Sequence, residues 1–543
     1  MLGGYDHSRA IVHTAVSGRP GGGGLSLRAG GYLNFVKQDG QSLSLWSGTA
    51  EMPFAPELTA DREADVCVVG AGIAGLTTAY LLAKNGQRVI VLDRARLGGR
   101  QTPQTTAHVT AALDDRYSSL EKLHGEDGAR LAAQSHTAAI RCIEQVVAGE
   151  KIDCGLETVD AYLYLAPGDD PAILDDELAA AKRAGLDVDM VDRAPFADPF
   201  DTGRAIRWAG QAQFHPLKYL AGLCEALKRA GAELYQNTVV ERVHDGSPAT
   251  VITTTGHTVT ARAVVVATNS PINDMVTIHT KQAPYTTYVI GLEIPRGSVP
   301  RCLAYDTPDP YHYIRTYSLD DSDTDILIVG GEDDKTGESD RGAEHFDSLD
   351  RWARERFPMA GSRAYAWSGQ IYEPVDSLAF IGRNPHCENI YIATGDSGNG
   401  ITHGTIAGML ITNLIGGTPN HWTPVYDPAR ISLHPEALKE YVTENADVVV
   451  QIAQNLTPGE VDSVEAIERG SGAIVRDGAE KIAAYRDDTG KLHRLSANCT
   501  HLGCIVHWNS TDKEWDCPCH GSRFAANGEV VNGPAIAPLA PRE

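Results

Sequence analysis

Four of the chain's ten cysteines fall within residues 499–520, CTHLGCIVHWNSTDKEWDCPCH, together with His501 and His520. Thiolate sulfur and imidazole nitrogen are the donors that borderline and soft metal ions prefer, so this crowding reads as a metal centre. The spacing is Cys499-x-His501, fifteen residues, then Cys517-x-x-His520. A Cys2His2 zinc site has the same composition. Zinc fingers, however, usually pair cysteine with cysteine and histidine with histidine along the chain. Here each half brings one of each, and Cys504 and Cys519 are left over. The other six cysteines, Cys67, Cys142, Cys154, Cys224, Cys302 and Cys387, stand singly without regular spacing. They read as reduced thiols, which predicts a cytoplasmic protein.

A second constellation is Gly70-x-Gly72-x-x-Gly75, set between an apolar β-branched run and a helix-period stretch, with Asp93 closing the next strand and seventeen residues between it and Gly75. Gly70 permits the tight turn, Gly72 lets the backbone approach a pyrophosphate, and Gly75 lets the helix pack on the strand. The helix N-terminus offers free N–H donors to the phosphates, and Asp93 can accept from the ribose hydroxyls. A second glycine-bearing strand end, ATGDSGNGITHGTIAGMLITNLI (393–415), runs directly into a small-residue helix and suits the far end of a long dinucleotide. Asp396 would accept from a ribityl hydroxyl there, and the N–H groups around Gly400, Thr402, His403 and Gly404 would face the flavin pyrimidine oxygen. No second strand–glycine turn–helix unit is available for NAD(P)H, so a small organic substrate is expected to reduce the flavin.

These residues must be carried by elements of matching type. TARAVVVATNS (260–270) and ENIYIATGDSGNG (388–400) read as buried parallel strands, whereas YTTYVIGLEI (285–294) and DILIVGGED (325–333) have an antiparallel look. After residue 457 the texture changes to short strands with turn signals. The predicted organisation is a flexible Gly-rich extension over 1–60 and an α/β dinucleotide domain of Rossmann-like, glutathione-reductase type over 61–430. An antiparallel-sheet substrate subdomain is interleaved at roughly 150–215 and 275–370, a helical linker spans 431–457, and a small all-β domain fills 458–543. Net charge is −24, which argues against a nucleic-acid partner or adhesion to an acidic membrane face. No apolar run approaches the length of a spanning helix, and the start of the chain lacks the order of a secretory signal.

Over residues 64 to about 430, five segments in order carry a resemblance to the FAD-dependent oxidoreductases of the D-amino-acid oxidase and glycine oxidase superfamily. They are GAGIAG, FHPLKYLAGLCEALKRAGAELY (214–235), VVVATNS, LIVGGED, and WSGQIYEPVDSLAFIG (367–382). The resemblance implies FAD as cofactor, adds Val239 to its contacts, and implies oxidation of a C–N bond in an amine or amino acid. In this superfamily the stretch after the ribose acid, here ARLGGRQTPQTTAHVTAAL (95–113), runs past the flavin ring. His108 sits near the position where sarcosine and dimethylglycine dehydrogenases bond a histidine covalently to the flavin, although Ala107 stands where those enzymes carry tryptophan. DTPDPYHYIRT (306–316) is the strand expected to cross the open flavin face, making Tyr311, His312, Tyr313 and Arg315 candidates. An arginine there could clamp a carboxylate, and alternation lets only about half of them point inward. Tyr285, Tyr288, His215 and Lys335 are weaker candidates.

From about 450 to 540 the chain is similar to Rieske [2Fe–2S] proteins, on CTHLGC and CPCHGS. That resemblance implies one iron on Cys499 and Cys517, the other on His501 and His520, and a Cys504–Cys519 disulfide. NGPAI (532–536) would be the covering proline loop, and Ser522 the hydroxyl donor to a bridging sulfide. Phe524, where high-potential members carry tyrosine, implies a lower potential. Together the two resemblances imply a relay from substrate through FAD and the cluster to an external protein or quinone. The alternatives are an oxidase using O2 directly, or a pure electron-transfer module.

Overall fold

The strand Arg62–Val69 is apolar without alternation because it is covered on both faces: Val66, Cys67 and Val68 are fully buried. In the computed structural model, which describes residues 43–273, 278–320, 322–432 and 434–542, it sits centrally in an eight-stranded sheet. It pairs in parallel with Val89–Leu92 on one side and Thr258–Val266 on the other. Thr258–Val266 in turn pairs in parallel with Ile390–Thr394, and Val89–Leu92 with Glu233–Tyr235. The helices Ile73–Lys84 and Gly400–Ile415 pack against one another. The two glycine-bearing turns therefore open on one edge of the sheet, as a dinucleotide requires.

A second, nine-stranded sheet forms a separate layer. Gln282–Pro295 is its long spine, antiparallel to both Thr324–Lys335 and Arg363–Pro374. Tyr313–Ser318, Leu303–Asp306, Glu157–Tyr164, Ala205–Gln213 and His108–Val109 complete the row. The α/β domain with an antiparallel layer agrees with the sequence pattern.

The extension expected over 1–60 divides. Residues 1–42 lie outside the described residues, whereas 43–60 are packed and not a free tail. The cluster SLSLW supplies the reason: Ser44 caps the short helix Leu45–Thr49, Leu45 and Trp46 are fully buried, and Trp46 Nε1 donates to the Thr105 carbonyl.

A helix, Pro435–Ala453, leads to the C-terminal region. There a three-stranded antiparallel sheet, Ser471–Asp477, Glu480–Arg486 and Leu492–Ser496, accompanies a four-stranded one of very short strands between His507 and Asn532. Trp508, Trp515 and Phe524 fill the core between them. Arg523 is buried with Asp512, Glu514 and Asp516 around it, within 2.6–3.1 Å.

Candidate functional site

One cavity runs from the first glycine turn past Asp93 to His108 and Tyr311. Gly70 has φ of 106°, and a Cβ there would stand 2.3 Å from the Ala267 carbonyl oxygen; a Cβ on Gly75 would stand 1.9 Å from the Gly70 oxygen. Only glycine permits this turn. Asp93 accepts from the Ala71 N–H at 2.7 Å and the Ala95 N–H at 2.8 Å, so it braces the turn as well as lining the cavity. Burial pushes its pKa up, and those two N–H bonds oppose the shift. Five buried side-chain atoms of the lining, Arg100 Nε, Gln104 Oε1, His108 Nε2, Asn269 Nδ2 and Asp333 Oδ1, make no hydrogen bond to the protein. Buried polar atoms seldom stay unpaired, so this lining fits a long polar ligand such as FAD.

At the far end, Asp396 accepts from the Tyr372 N–H at 3.0 Å, and burial pushes its pKa up to about 6. His403 lines the cavity with Nδ1 on the Asp396 carbonyl. Its Nε2 meets His136 Nε2 at 3.3 Å, and burial lowers its pKa to about 4. His108 Nδ1 pairs with the Tyr305 hydroxyl at 3.0 Å; burial, with the Arg315 charge nearby, holds it neutral.

The other candidates separate by position. Tyr311 and Tyr313 line the cavity, Tyr311 donating to Asp114 Oδ2 at 2.5 Å and Tyr313 bonded to Thr287 at 2.6 Å. Arg315 shares the strand face of Tyr313 but lies two residues, about 7 Å, further along. There its Nη1 donates to the carbonyls of Thr106, Ala107 and Phe214, and its guanidinium lies 5.3 Å from the Trp46 ring centre. Contrary to expectation, Arg315 is committed to backbone and does not line the cavity as a carboxylate clamp. His312 points to the opposite face, bonded to Asp306 and stacked on Trp352 at 4.3 Å. Val240 lines the cavity where Val239 was expected; the Val239 carbonyl accepts from the Thr254 N–H just past the neighbouring strand. Thr402 turns away to His136, Tyr288 stacks on His345, His215 caps its own helix, and Lys335 pairs with Glu444 and Asp447 of the linker helix.

A second cavity of about 340 Å³ adjoins the first and shares Asp114, Tyr305, Tyr311, Asp333 and Gly398 with it. Asp115, Asp309 and Glu373 also line it. Sequence reasoning missed all of these acids; the doublet Asp114-Asp115 inside an apolar stretch was the one available signal.

The cysteine–histidine site is two matching loops. The Gly503 N–H returns to the Cys499 carbonyl at 2.9 Å, and the Gly521 N–H to the Cys517 carbonyl at 3.0 Å. The Cys499 and Cys517 thiols face one another within hydrogen-bond range, and the His501 and His520 rings stand edge to face at 5.0 Å. His520 Nδ1 is buried without a hydrogen-bond partner. Two sulfurs on one side and two imidazoles on the other suit a binuclear cluster with different ligands on its two irons. Cys504 and Cys519 are joined as a disulfide between the loops, as the resemblance implied.

This site is docked on the antiparallel layer, next to the dinucleotide cavity. The His279 ring lies 5.0 Å from His501 and 6.0 Å from His520. Gln370 Nε2 donates to the Gly521 carbonyl at 2.9 Å, Asn532 Nδ2 donates to Gln370 Oε1, and the Tyr372 hydroxyl reaches the His520, Gly521 and Gly533 carbonyls at 3.3–3.4 Å. Gln370, Val531, Asn532 and Gly533 all line the dinucleotide cavity.

Residues 65–414 match the family described as FAD dependent oxidoreductase, and residues 448–542 match the Rieske [2Fe-2S] domain. The Bacillus subtilis protein YhfW, described as a Rieske 2Fe-2S iron-sulfur protein, is 33% identical over 91% of this chain and 96% of its own length. The gamma-glutamylputrescine oxidoreductase of Escherichia coli is 28% identical over 65% of this chain and 84% of its own. Glycine oxidase from Geobacillus kaustophilus superposes with a TM-score of 0.56 at 21% identity, covering 68% of this chain and 99% of that structure, a likeness of fold.

Proposed function

The chain belongs to the FAD-dependent oxidoreductase family and carries a C-terminal Rieske [2Fe–2S] domain, and on that premise we propose that it dehydrogenates a C–N bond and passes the electrons through the Rieske domain to an external protein or quinone. The observation that carries the reading is the docking. The histidine side of the cluster site rests on His279, and the loop Val531–Gly533 forms part of the wall of the FAD cavity. Bound FAD supplies two-electron hydride acceptance, and the [2Fe–2S] cluster supplies one-electron transfer.

The residues of the chain do the rest. The glycine turn and the start of helix Ile73–Lys84 receive the pyrophosphate, and Asp93 the ribose. Cys499, Cys517, His501 and His520 would hold the cluster, and neutral His108 would leave its unpaired Nε2 to the cofactor. Asp114 lies in both cavities, hydrogen-bonded to Tyr311, and burial pushes its pKa up to about 8, so it is placed to take the proton of a substrate ammonium near neutral pH. The substrate then loses two electrons and two protons, becoming an imine that water converts to a carbonyl compound and free amine or ammonia. The gamma-glutamylputrescine oxidoreductase relative favours an amine. Among the described residues no helix is long and apolar enough to cross a membrane, and the scattered thiols favour the cytoplasm.

The test is anaerobic mixing with an amine panel. Bleaching of the flavin absorbance followed by the EPR signal of a reduced Rieske cluster is expected. Stoichiometric peroxide under air with the cluster left oxidised throughout turnover would overturn the reading.

A further inference from the structure

The wall of the FAD cavity is built from two distant parts of the chain. Val531, Asn532 and Gly533 of the C-terminal domain line the same space as Gly70, Gly72 and Asp93. Arg94, next to Asp93, donates through Nη1 to the Val530 carbonyl at 3.1 Å, a contact between residues 436 apart in sequence. On the other side, Asn532 is 5% exposed and its Nδ2 donates to Gln370 Oε1. The Gly533 carbonyl accepts from the Tyr372 hydroxyl at 3.3 Å. The segment 530–533 is thus tied to the dinucleotide turn through Arg94 and to the antiparallel layer through Gln370 and Tyr372.

This wall is incomplete without a ligand. Arg94 and Arg100 both line the cavity, and among the described residues neither has a carboxylate within ion-pair distance. Arg100 Nε is buried without a hydrogen-bond partner. Burial, together with the Arg100 charge, lowers the Arg94 pKa to about 10. Two nearby guanidinium groups at reduced dielectric oppose one another until an anion neutralises them. FAD brings two negative charges, on its diphosphate, into the cavity these arginines line.

We propose that the FAD site is shared between the two domains: segment 530–533 of the Rieske domain is part of it, so FAD binding and domain docking strengthen one another. The inference rests on FAD as the cofactor and is independent of the substrate and of the electron acceptor. Without FAD the segment faces solvent-filled space and two arginines lacking countercharge. With FAD the same segment closes one wall of an occupied site. Linkage is reciprocal, so the factor by which FAD tightens docking is the factor by which docking tightens FAD. The contact that would carry electrons to the cluster is then made firmly only when a flavin is present to supply them.

The full chain is prepared with and without FAD, and hydrogen exchange is compared between the two. Amides in 517–522 and 530–533 should exchange at least tenfold faster in the FAD-free chain and recover when FAD is added back. The strands Ser471–Asp477 and Glu480–Arg486 and the Rieske EPR signal should stay unchanged, which separates undocking from unfolding. The reverse direction uses a docking contact outside the cavity. Ser368, 3% exposed, donates to Asp512 Oδ2 at 2.5 Å and does not line the cavity. In Ser368→Ala the Kd for FAD should rise about tenfold to a hundredfold, the worth of a hydrogen bond to a charged group. If that variant loses its cluster on purification, Asp340→Ala removes the exposed contact to the Ser510 N–H and hydroxyl and should shift the Kd in the same direction. Equal exchange of both loops with and without FAD overturns the proposal. So does a docking variant whose loops exchange faster while its FAD affinity matches wild type. Neither result bears on C–N dehydrogenation, since no substrate is used.

Discussion

Gln370→Ala tests whether the two redox domains communicate through the contact described above. Gln370 is 2% exposed, and its amide is divided between Gly521, next to His520, and Asn532, which lines the dinucleotide cavity. Truncation leaves the Gly521 carbonyl and the Asn532 amide short of a partner in a buried interface. Each unsatisfied group costs about 1–3 kcal/mol, and part is recovered because the Tyr372 hydroxyl also reaches Gly521. A net loss of about 2–4 kcal/mol falls on the docked arrangement alone, which shifts docking by about 30- to 1,000-fold. Hydrogen exchange of the loops 517–522 and 530–534 should accelerate, and electron arrival at the cluster after flavin reduction should slow, while the flavin is still bleached by substrate at the normal rate. Tyr372→Phe, losing three long shared bonds, should give a weaker version of the same pattern. If both loops exchange as in wild type and the cluster is reduced as fast, docking through Gln370 does not govern the transfer.

Gly75→Ala sets a Cβ 1.9 Å from the Gly70 oxygen, so the first turn must open; the protein should purify with little or no 450 nm absorbance and a lowered Tm. Arg523→Met strands Asp512, Glu514 and Asp516 in a buried site and should destabilise the Rieske domain by about 3–5 kcal/mol, read as earlier loss of the cluster's visible absorbance on heating. Asp114 has a folded pKa raised to about 8, above its unfolded value near 3.9. Its contribution to stability is therefore fully present below about pH 4 and declines as pH rises through 8. Asp114→Asn should flatten the fall in Tm between pH 5 and 8 and remove the rise in substrate-driven flavin reduction over the same range.

The two Cys–His pairs were legible as a pair of matching loops because the pattern is local: each pair sits in a loop of a few residues, and each loop closes on its own backbone. The glycine turn and Asp93 were legible for the same reason. What the sequence hid depends on contacts between distant segments. Gln370 and Gly521 are 151 residues apart, and nothing in QIYEP or CHGS marks them as partners. Alternation correctly separated His312 from its neighbours, but it could not tell that Arg315 lies beyond the cavity's end, under Ala107 and Phe214. Reading 43–60 as flexible extended a glycine-rich composition past the point where Leu45 and Trp46 resume ordinary core packing.

The contrast between two groups of buried acids says which is architecture. Asp512, Glu514 and Asp516 surround Arg523, a closed network whose cation is part of the fold. Asp114, Asp115, Asp333 and Glu373 are part-buried, raise one another's pKa, and line open space with no side-chain cation within ion-pair distance among the described residues. Folding gains nothing from that second arrangement, since replacing any of these acids by its amide would relieve repulsion. Such a departure from electrostatic consistency is sustained where a ligand completes it. Neutral His108, held so by burial next to Arg315 and keeping Nε2 unpaired, meets the same description at the cofactor's side of the shared wall. His108 lines the first cavity and is tied to the second through Tyr305, which lines both, while Asp114 and Asp333 line both directly.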